Sequence, residues 1–421
     1  MKKHLGKAFI AALSLLTLAS CGDKEAKTEA RKKTVLKLAH WDTEQQAGLQ
    51  IIIDEFKKTN PDIDVIMEIS PWAQYWTKLE TTAAGGTTQD IFWINAPQFQ
   101  RYAKNGQIAP LDDLVKNKDI NPENYISAMV DTYTIDGKLY ALPKDIDSIA
   151  LWYNKEIFDK AGLQYPNDSW TWKDMEGAAE RIKNSTGNYG VAFHLPSNQE
   201  SYWNVIYSSG GEVISSDKKN SGYSHAQTLE GIKSIRNLID RGISPSLDEL
   251  VEIPAVDLFS SGKAGMFYGG TWRVLPIMTN ESIKNKVDST TLPAKEKKTS
   301  IVHGLGYAIY AKGKNIEASK KFIAYLGSKE ANVLQAQHMG TIPAFVETQD
   351  GWLNKYSNIN MKAYLDIMNT GTPYPATYDF SKWNGPQDDI MKKVWSKEMD
   401  PEQAVKSIAT VQQKILDQEK N

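Results

Sequence analysis

Aromatic rings standing beside short polar side chains recur along this chain, and they suit the capture of a ligand better than its conversion. Trp41 precedes Asp42 at the end of an apolar run, where open α/β sheets place their ligands. Gly269-Gly270-Thr271-Trp272-Arg273 sets an indole and a planar guanidinium behind paired glycines, which let the backbone approach a bound molecule closely. Such groups fit a molecule with flat apolar faces and a polar rim. Trp72, Tyr75 and Trp76 lie at i, i+3 and i+4, the spacing of a buried helix face. Two of these rings are expected in the core, and one, Trp72 or Tyr75, is expected to reach the ligand. Trp383, before Asn384 and Gly385, is a further candidate platform.

Catalytic motifs find little footing. The six histidines, His4, His40, His194, His225, His303 and His338, form no HExxH and no paired metal spacing. There is no nucleophile elbow and no Walker lysine motif, and Gly304-x-Gly306 lacks the third glycine of a dinucleotide loop. No metal or cofactor is called for. Carboxylates are abundant enough that counting alone leaves a glycosidase pair open.

The elements that must position these residues alternate. Val35–Trp41 reads as a strand, and Thr43 with Gln46 suggests a capping box for a helix carrying Leu49, Ile52, Ile53 and Phe56. Asn60-Pro61 stops that helix, Ile63, Val65, Met67 and Ile69 alternate as a second strand, and Ser70-Pro71 opens the aromatic helix. Asp90–Asn95 is a nearly all-apolar strand of the buried parallel kind. The succession is βαβαβ, an α/β lobe. A second lobe is expected from a long strand over Ile146–Tyr153, with Thr171 capping a following helix. Leu305–Tyr310 and the helix of Phe322, Ile323 and Leu326 look like the first lobe resumed. At 421 residues the chain exceeds the usual size of one core.

Ile10–Ser20 is a short apolar run behind Lys2, Lys3 and Lys7, too short to span a bilayer permanently and so a secretory signal. Leu18-Ala19-Ser20-Cys21 resembles the bacterial lipobox, in which the cysteine is acylated and becomes the first mature residue. Residues 1–21 are thus read as lipoprotein signal and anchor, and 22–33 as a solvated tether. Cys21 is the only cysteine, so no disulfide or thiol chemistry remains. The formal net charge of −2 offers no basic surplus for nucleic acid, while 12 Trp and 19 Tyr are many for so hydrophilic a chain.

Four segments, Trp72–Leu79, Asp90–Asn95, Leu151–Lys155 and Phe259–Met266, in this order, resemble the family 1 extracellular solute-binding proteins, the carbohydrate-binding lipoproteins of ABC importers. The resemblance runs from about Val35 to Lys414. It implies an α/β, two-lobed periplasmic-binding-protein-like fold with a hinged interlobe ligand cleft. It also implies lobes of 34–145 plus 300–342 and of 146–299 plus 343–421. In such a cleft Trp93 and Asn95 border the ligand, Asp145 and Asp147 contribute acids from a crossing strand, and Asn198, Glu200 and Trp203 contribute from the second lobe. The implied ligand is an oligosaccharide and the implied partners are permease subunits, with the receptor a monomer. It is held outside the cytoplasm by Cys21, and the lysine-rich tether suits a Gram-positive surface. An exported carbohydrate-active enzyme and a sugar-sensing subunit of a membrane receptor stay open as alternatives.

Overall fold

Leu36 and Leu38 are wholly buried in the first strand, β1 (Thr34–His40), because flanking strands cover both of its edges and helices cover its faces. The computed structural model describes residues 33–419; the signal, Cys21 and all but the last residue of the tether lie outside the described residues. β2 (Ile63–Ile69) and β3 (Ile91–Asn95) run parallel to β1, with Thr34 opposite Ile63 and Leu38 opposite Ile91. Leu305–Ile309 returns antiparallel to β3, and Ala141–Pro143 lies beyond it, completing a five-stranded sheet. Helices α1 (Gln46–Thr59), α2 (Trp72–Ala84) and α3 (Ala96–Lys104) connect and cover these strands.

The expected capping box of α1 does not form. Asp42 holds the turn before the helix, its Oδ1 accepting from the backbone N–H of Glu44 at 2.8 Å and of Gln45 at 3.3 Å. The Gln46 backbone amide that the box would need goes to the Thr43 carbonyl at 3.3 Å instead of the Thr43 hydroxyl.

The second sheet has four strands with the all-buried Ile149–Asn154 inside it. Val287–Thr291 and Ala264–Gly270 flank that strand antiparallel, and Tyr189–Ala192 pairs parallel with the latter. Trp152 at its centre donates from Nε1 to the Tyr364 hydroxyl at 2.6 Å, and Tyr364 donates onward to the Gly269 carbonyl at 3.0 Å. Thr171 and Asp174 form the reciprocal capping box of the helix Trp172–Thr186.

Short passages join the sheets. Asp145–Ile146 pairs antiparallel with Ile342–Pro343, Asp147 pairs with His303, and Ile301–Val302 pairs parallel with Thr372–Pro373. The strand expected over Ile146–Tyr153 is therefore two strands, broken at Asp147-Ser148. Its backbone donors serve different elements there: Asp147 N–H reaches the His303 carbonyl, and Ile149 N–H reaches Ser300 Oγ at 2.8 Å. The passages lie so close that a Cβ on Gly304 would sit 2.1 Å from the Asp145 carbonyl oxygen. Among the described residues no helix is long and apolar enough to cross a membrane.

The same closeness recurs under the helix Trp172–Thr186, where a Cβ on Gly190 would meet the Ala179 carbonyl oxygen at 2.2 Å. Backbone cannot swing aside as a side chain can. Gly190→Ala is expected to cost about 3 kcal/mol, the upper end of overpacking penalties. Urea unfolding should show it as a lower midpoint at unchanged slope, and an unmoved midpoint would mean that helix and strand are not in contact there.

Candidate functional site

The end of β1 carries the first wall. Trp41 is half-buried, and its ring makes near-perpendicular contacts with Trp72 at 5.0 Å, Tyr75 at 4.9 Å and Trp93 at 5.4 Å, with Trp76 tilted at 5.7 Å. Edge-to-face packing of this kind fixes each ring by its neighbours. Of the α2 aromatics, Trp72 has the open face, with 52 % of its surface exposed. Tyr75, the other ring expected to reach a ligand, is buried instead, and its hydroxyl donates to the Trp93 carbonyl at 2.8 Å. Trp93 is buried too, under His40 and with the Lys144 ammonium 4.4 Å from its ring centre. Asn95 is buried as the N-cap of α3, accepting from Gln98 N–H. These last two shape the wall from behind.

The second wall rises from the strand Ala264–Gly270. Trp272 folds back over Gly270, where a Cβ would sit 2.4 Å from Cη2 of that indole, so glycine is what lets the ring lie there. Arg273 donates from Nε and Nη2 to the two oxygens of Glu200, each at 2.8 Å, and the Gly270 amide adds a third donor at 3.0 Å. Burial alone would raise the Glu200 carboxyl, yet the Arg273 charge and its forked hydrogen bonds outweigh that and hold it below its usual range. Asn198 donates to Asn384 Oδ1 at 2.8 Å and accepts from the Tyr374 hydroxyl at 3.2 Å.

Trp203 and Trp383, expected as contacts, are instead packed in the second core. Their rings stack on one another at 6.4 Å, and their N–H groups are satisfied internally by the hydroxyls of Tyr223 and Thr377. Two helices, Tyr202–Ser208 and Phe380–Trp395, bury their apolar faces together there. A large indole with an internal acceptor has no need of a ligand.

Between the walls lies a set of buried charges. Asp145 pairs with the ammonium of Lys144, a residue the sequence reading passed over, and accepts from Leu305 N–H at 2.7 Å. Asp147, two residues on, accepts from the Thr271 hydroxyl rather than sharing those partners. Burial, then the charge of Asp145, pushes the Asp147 carboxyl well above its usual range. The charge of Asp42, from the first wall, acts on both Asp147 and Arg273. The hydrogen bond from Thr271 to Asp147 ties the second wall to the passage between the sheets. Burial pushes His40 down to about 4 and His303 to about 3, so both are neutral. Among the described residues no three His, Cys, Asp or Glu side chains are grouped to hold a metal ion. A separate open hollow of about 260 Å³, lined by Gln100, Lys104, Lys218, Thr377, Tyr378 and Glu419, contains none of the expected site residues.

The signal that would have exposed Lys144 is a lysine in the otherwise apolar and acidic Ala141–Tyr153. Nothing in the sequence marks Gln45 or Thr271.

The family model of the bacterial extracellular solute-binding proteins matches residues 40–333. The chain belongs to that family. This solute-binding protein is 24% identical over 418 residues to a putative binding protein of Brucella abortus (strain 2308), covering 97% of each chain. It is 25% identical over 395 residues to the arabinooligosaccharide-binding protein of Bacillus subtilis (strain 168), covering 88% of this chain and 86% of that one. Among solved structures, the ABC substrate-binding protein of Listeria monocytogenes in complex with cycloalternan superposes with a TM-score of 0.85 at 25% identity, over 91% of this chain and 99% of that one. A maltose-bound protein of T. maritima superposes at 0.81 with 19% identity, over 91% and 100% of the two chains. The fold is thus the two-lobed one of periplasmic binding proteins, and the family works outside the cytoplasm.

Removing Arg273 would leave Glu200 as a buried carboxylate without its cation. Arg273→Ala is expected to cost about 3–5 kcal/mol at neutral pH. In the wild type the folded Glu200 carboxyl lies below its ordinary value, so its contribution is present above that value and is lost as pH falls through the folded one. In the variant burial is opposed by little more than the Gly270 amide, so the carboxyl should titrate above its ordinary value, and acid relieves the penalty. The stability difference should therefore narrow as pH falls from neutral towards the ordinary carboxylate range. Urea midpoints that stay equally far apart across that range would rule out Glu200 as the titrating group.

Proposed function

We propose that this protein is the oligosaccharide receptor of an ABC importer, anchored by an acylated Cys21 outside the cell membrane, on a Gram-positive surface, as a monomer. The observation that carries the reading is the pairing of walls. The open ring of Trp72, propped on Trp41, offers a platform beside Asp42, while Asp147, on the passage between the sheets, accepts from Thr271, the residue before Trp272 and Arg273 on the second wall. A sugar matches that pattern with C–H faces for the rings and hydroxyls for the charged rim.

The lobes are 34–145 with 300–342 and 146–299 with 343–421. The return of Leu305–Ile309 to the first sheet supports this division, as does the packing of Lys329–His338 on α1. Ligand held by both walls favours the closed arrangement, and the ligand is released unchanged to the permease. Relatives named for galactooligosaccharide and arabinooligosaccharide binding support the ligand class.

A thermal-shift screen with maltose, cycloalternan, galactobiose, arabinobiose and their longer oligomers tests it. A true ligand at one hundred times its Kd adds about 2.7 kcal/mol of stability. No shift from any sugar would defeat the reading. Trp72→Ala should weaken binding by about 2 kcal/mol, the loss of a hot-spot contact, while the apo melting point barely moves because the ring is already half in water. Calorimetry showing wild-type affinity in this variant would remove Trp72 from the site. Cys21→Ser should release the protein from membranes with its fold intact, since two acyl chains are what stable anchoring requires. A signal-cleaved variant that still sediments wholly with membrane would refute the anchor.

A further inference from the structure

Gln45 sits at the start of α1, buried, and belongs to no wall of the cleft. Its side-chain amide donates from Nε2 to Asp42 Oδ2 at 2.6 Å, and its Oε1 accepts from the Lys144 ammonium at 2.9 Å. The chemistry of the partners dictates this orientation: a carboxylate can only accept and an ammonium can only donate, so a flipped amide would face both wrongly. Lys144 continues the line to Asp145, whose other oxygen holds the Leu305 amide at 2.7 Å. Asp145 also pairs through its backbone with Pro343, and the Lys144 carbonyl accepts from Gln335 Nε2 at 2.8 Å. One end of this chain, Asp42, is half-exposed in the cleft, and every later member is buried among the passages between the sheets.

We propose that Gln45 and Lys144 are positioning residues that couple the cleft carboxylate Asp42 to the interlobe passages, so that a sugar engaging Asp42 tightens the Asp145–Leu305 contact. This rests on the sugar-receptor reading above. Each link is charged or bonded to a charge, in surroundings where such bonds are strong and polarise one another. When a hydroxyl of the ligand takes up Asp42, the Gln45 amide must readjust, and Lys144 with it. The Lys144 side chain is fully buried and held by Gln45, Asp145 and the Trp93 ring, so a change at one is passed to the others. Gln45 touches no ligand itself, so any effect it has on affinity passes through Asp42 or Lys144.

The test measures amide hydrogen exchange at Leu305 with and without the tightest-binding sugar of the panel above, at saturation, in wild type, Gln45→Met and Gln45→Glu. Gln45→Met breaks both links at similar volume; Gln45→Glu keeps an acceptor for Lys144 and loses the donor to Asp42. Sugar should slow Leu305 exchange in the wild type, and both variants should lose about tenfold of that slowing; Gln45→Met, which strips an acceptor from the buried Lys144 ammonium, should also melt lower, whereas Gln45→Glu, which keeps that acceptor, should melt near wild type. Complete loss of binding at an unchanged melting point supports the first link of the coupling, the positioning of Asp42 by the buried Gln45. Equal slowing in all three proteins overturns it, as does a wild type whose Leu305 amide ignores the sugar. A large drop in melting point in both variants overturns it as well, making Gln45 a structural residue. If the wild type binds no sugar in the panel, the receptor reading falls and the coupling falls with it; sugar binding with equal slowing defeats the coupling alone.

Discussion

The fully buried ion pair of Lys144 and Asp145 is the constraint on which the centre of the molecule depends. Two charges taken out of water cost several kcal/mol each, and only close geometry and further hydrogen bonds offset that. Here Gln45, the Trp93 ring and the Leu305 amide supply the remainder. Those partners come from the start of α1, from β3 and from the returning strand. The pair therefore fixes where three distant stretches of chain meet, at the point where the backbone leaves one sheet for the other. Asp147 cannot share that cation and turns to Thr271, which ties the passage to the second wall. Without the pair, two acidic residues would lie side by side in a dry interior.

The tryptophans show how one residue type takes three roles in a single molecule. Trp203 and Trp383 serve the second core, where their N–H groups find hydroxyls and their rings find each other. Trp41 and Trp93 form a rigid backing, each ring set by edge contacts. Trp72 alone among these keeps a wide open face, and it rests on that backing. A platform propped this way loses little side-chain freedom on binding, so less of the contact energy is spent on ordering. The Glu200–Arg273 pair does the corresponding task on the opposite side. The carboxylate is buried and held by three donors, and its fork fixes the plane of the partly exposed guanidinium.

The elements were largely legible in the sequence because hydrophobic periodicity is local. The alternation of Ile63 to Ile69, the apolar run Ile91–Asn95 and the capping pair of Thr171 and Asp174 each specify their structure within a few residues. The order of motifs carried the family and the two-lobed fold. Failures came where a backbone group has more than one partner in reach. Thr43 and Gln46 satisfy the capping pattern, but the Gln46 backbone amide goes to the Thr43 carbonyl rather than its hydroxyl. Ile146–Tyr153 reads as one strand, but His303 and Ser300 claim its donors separately.

For the cleft, the sequence by itself determined which chemistries are present: indoles, carboxylates, a guanidinium and paired glycines, placed at strand and helix ends. It did not determine which indole faces water. Helical spacing describes Trp72, Tyr75 and Trp76 alike, because periodicity reports a face and not what that face meets. Burial is set by what packs on each ring: Trp203 is covered by Tyr374 and Trp383, which lie far along the chain, while Trp72 is left open. The role of Lys144 was hidden for the same reason. A charge is buried or solvated according to what packs around it, and Gln45, Trp93 and Leu305 come together only in the folded chain.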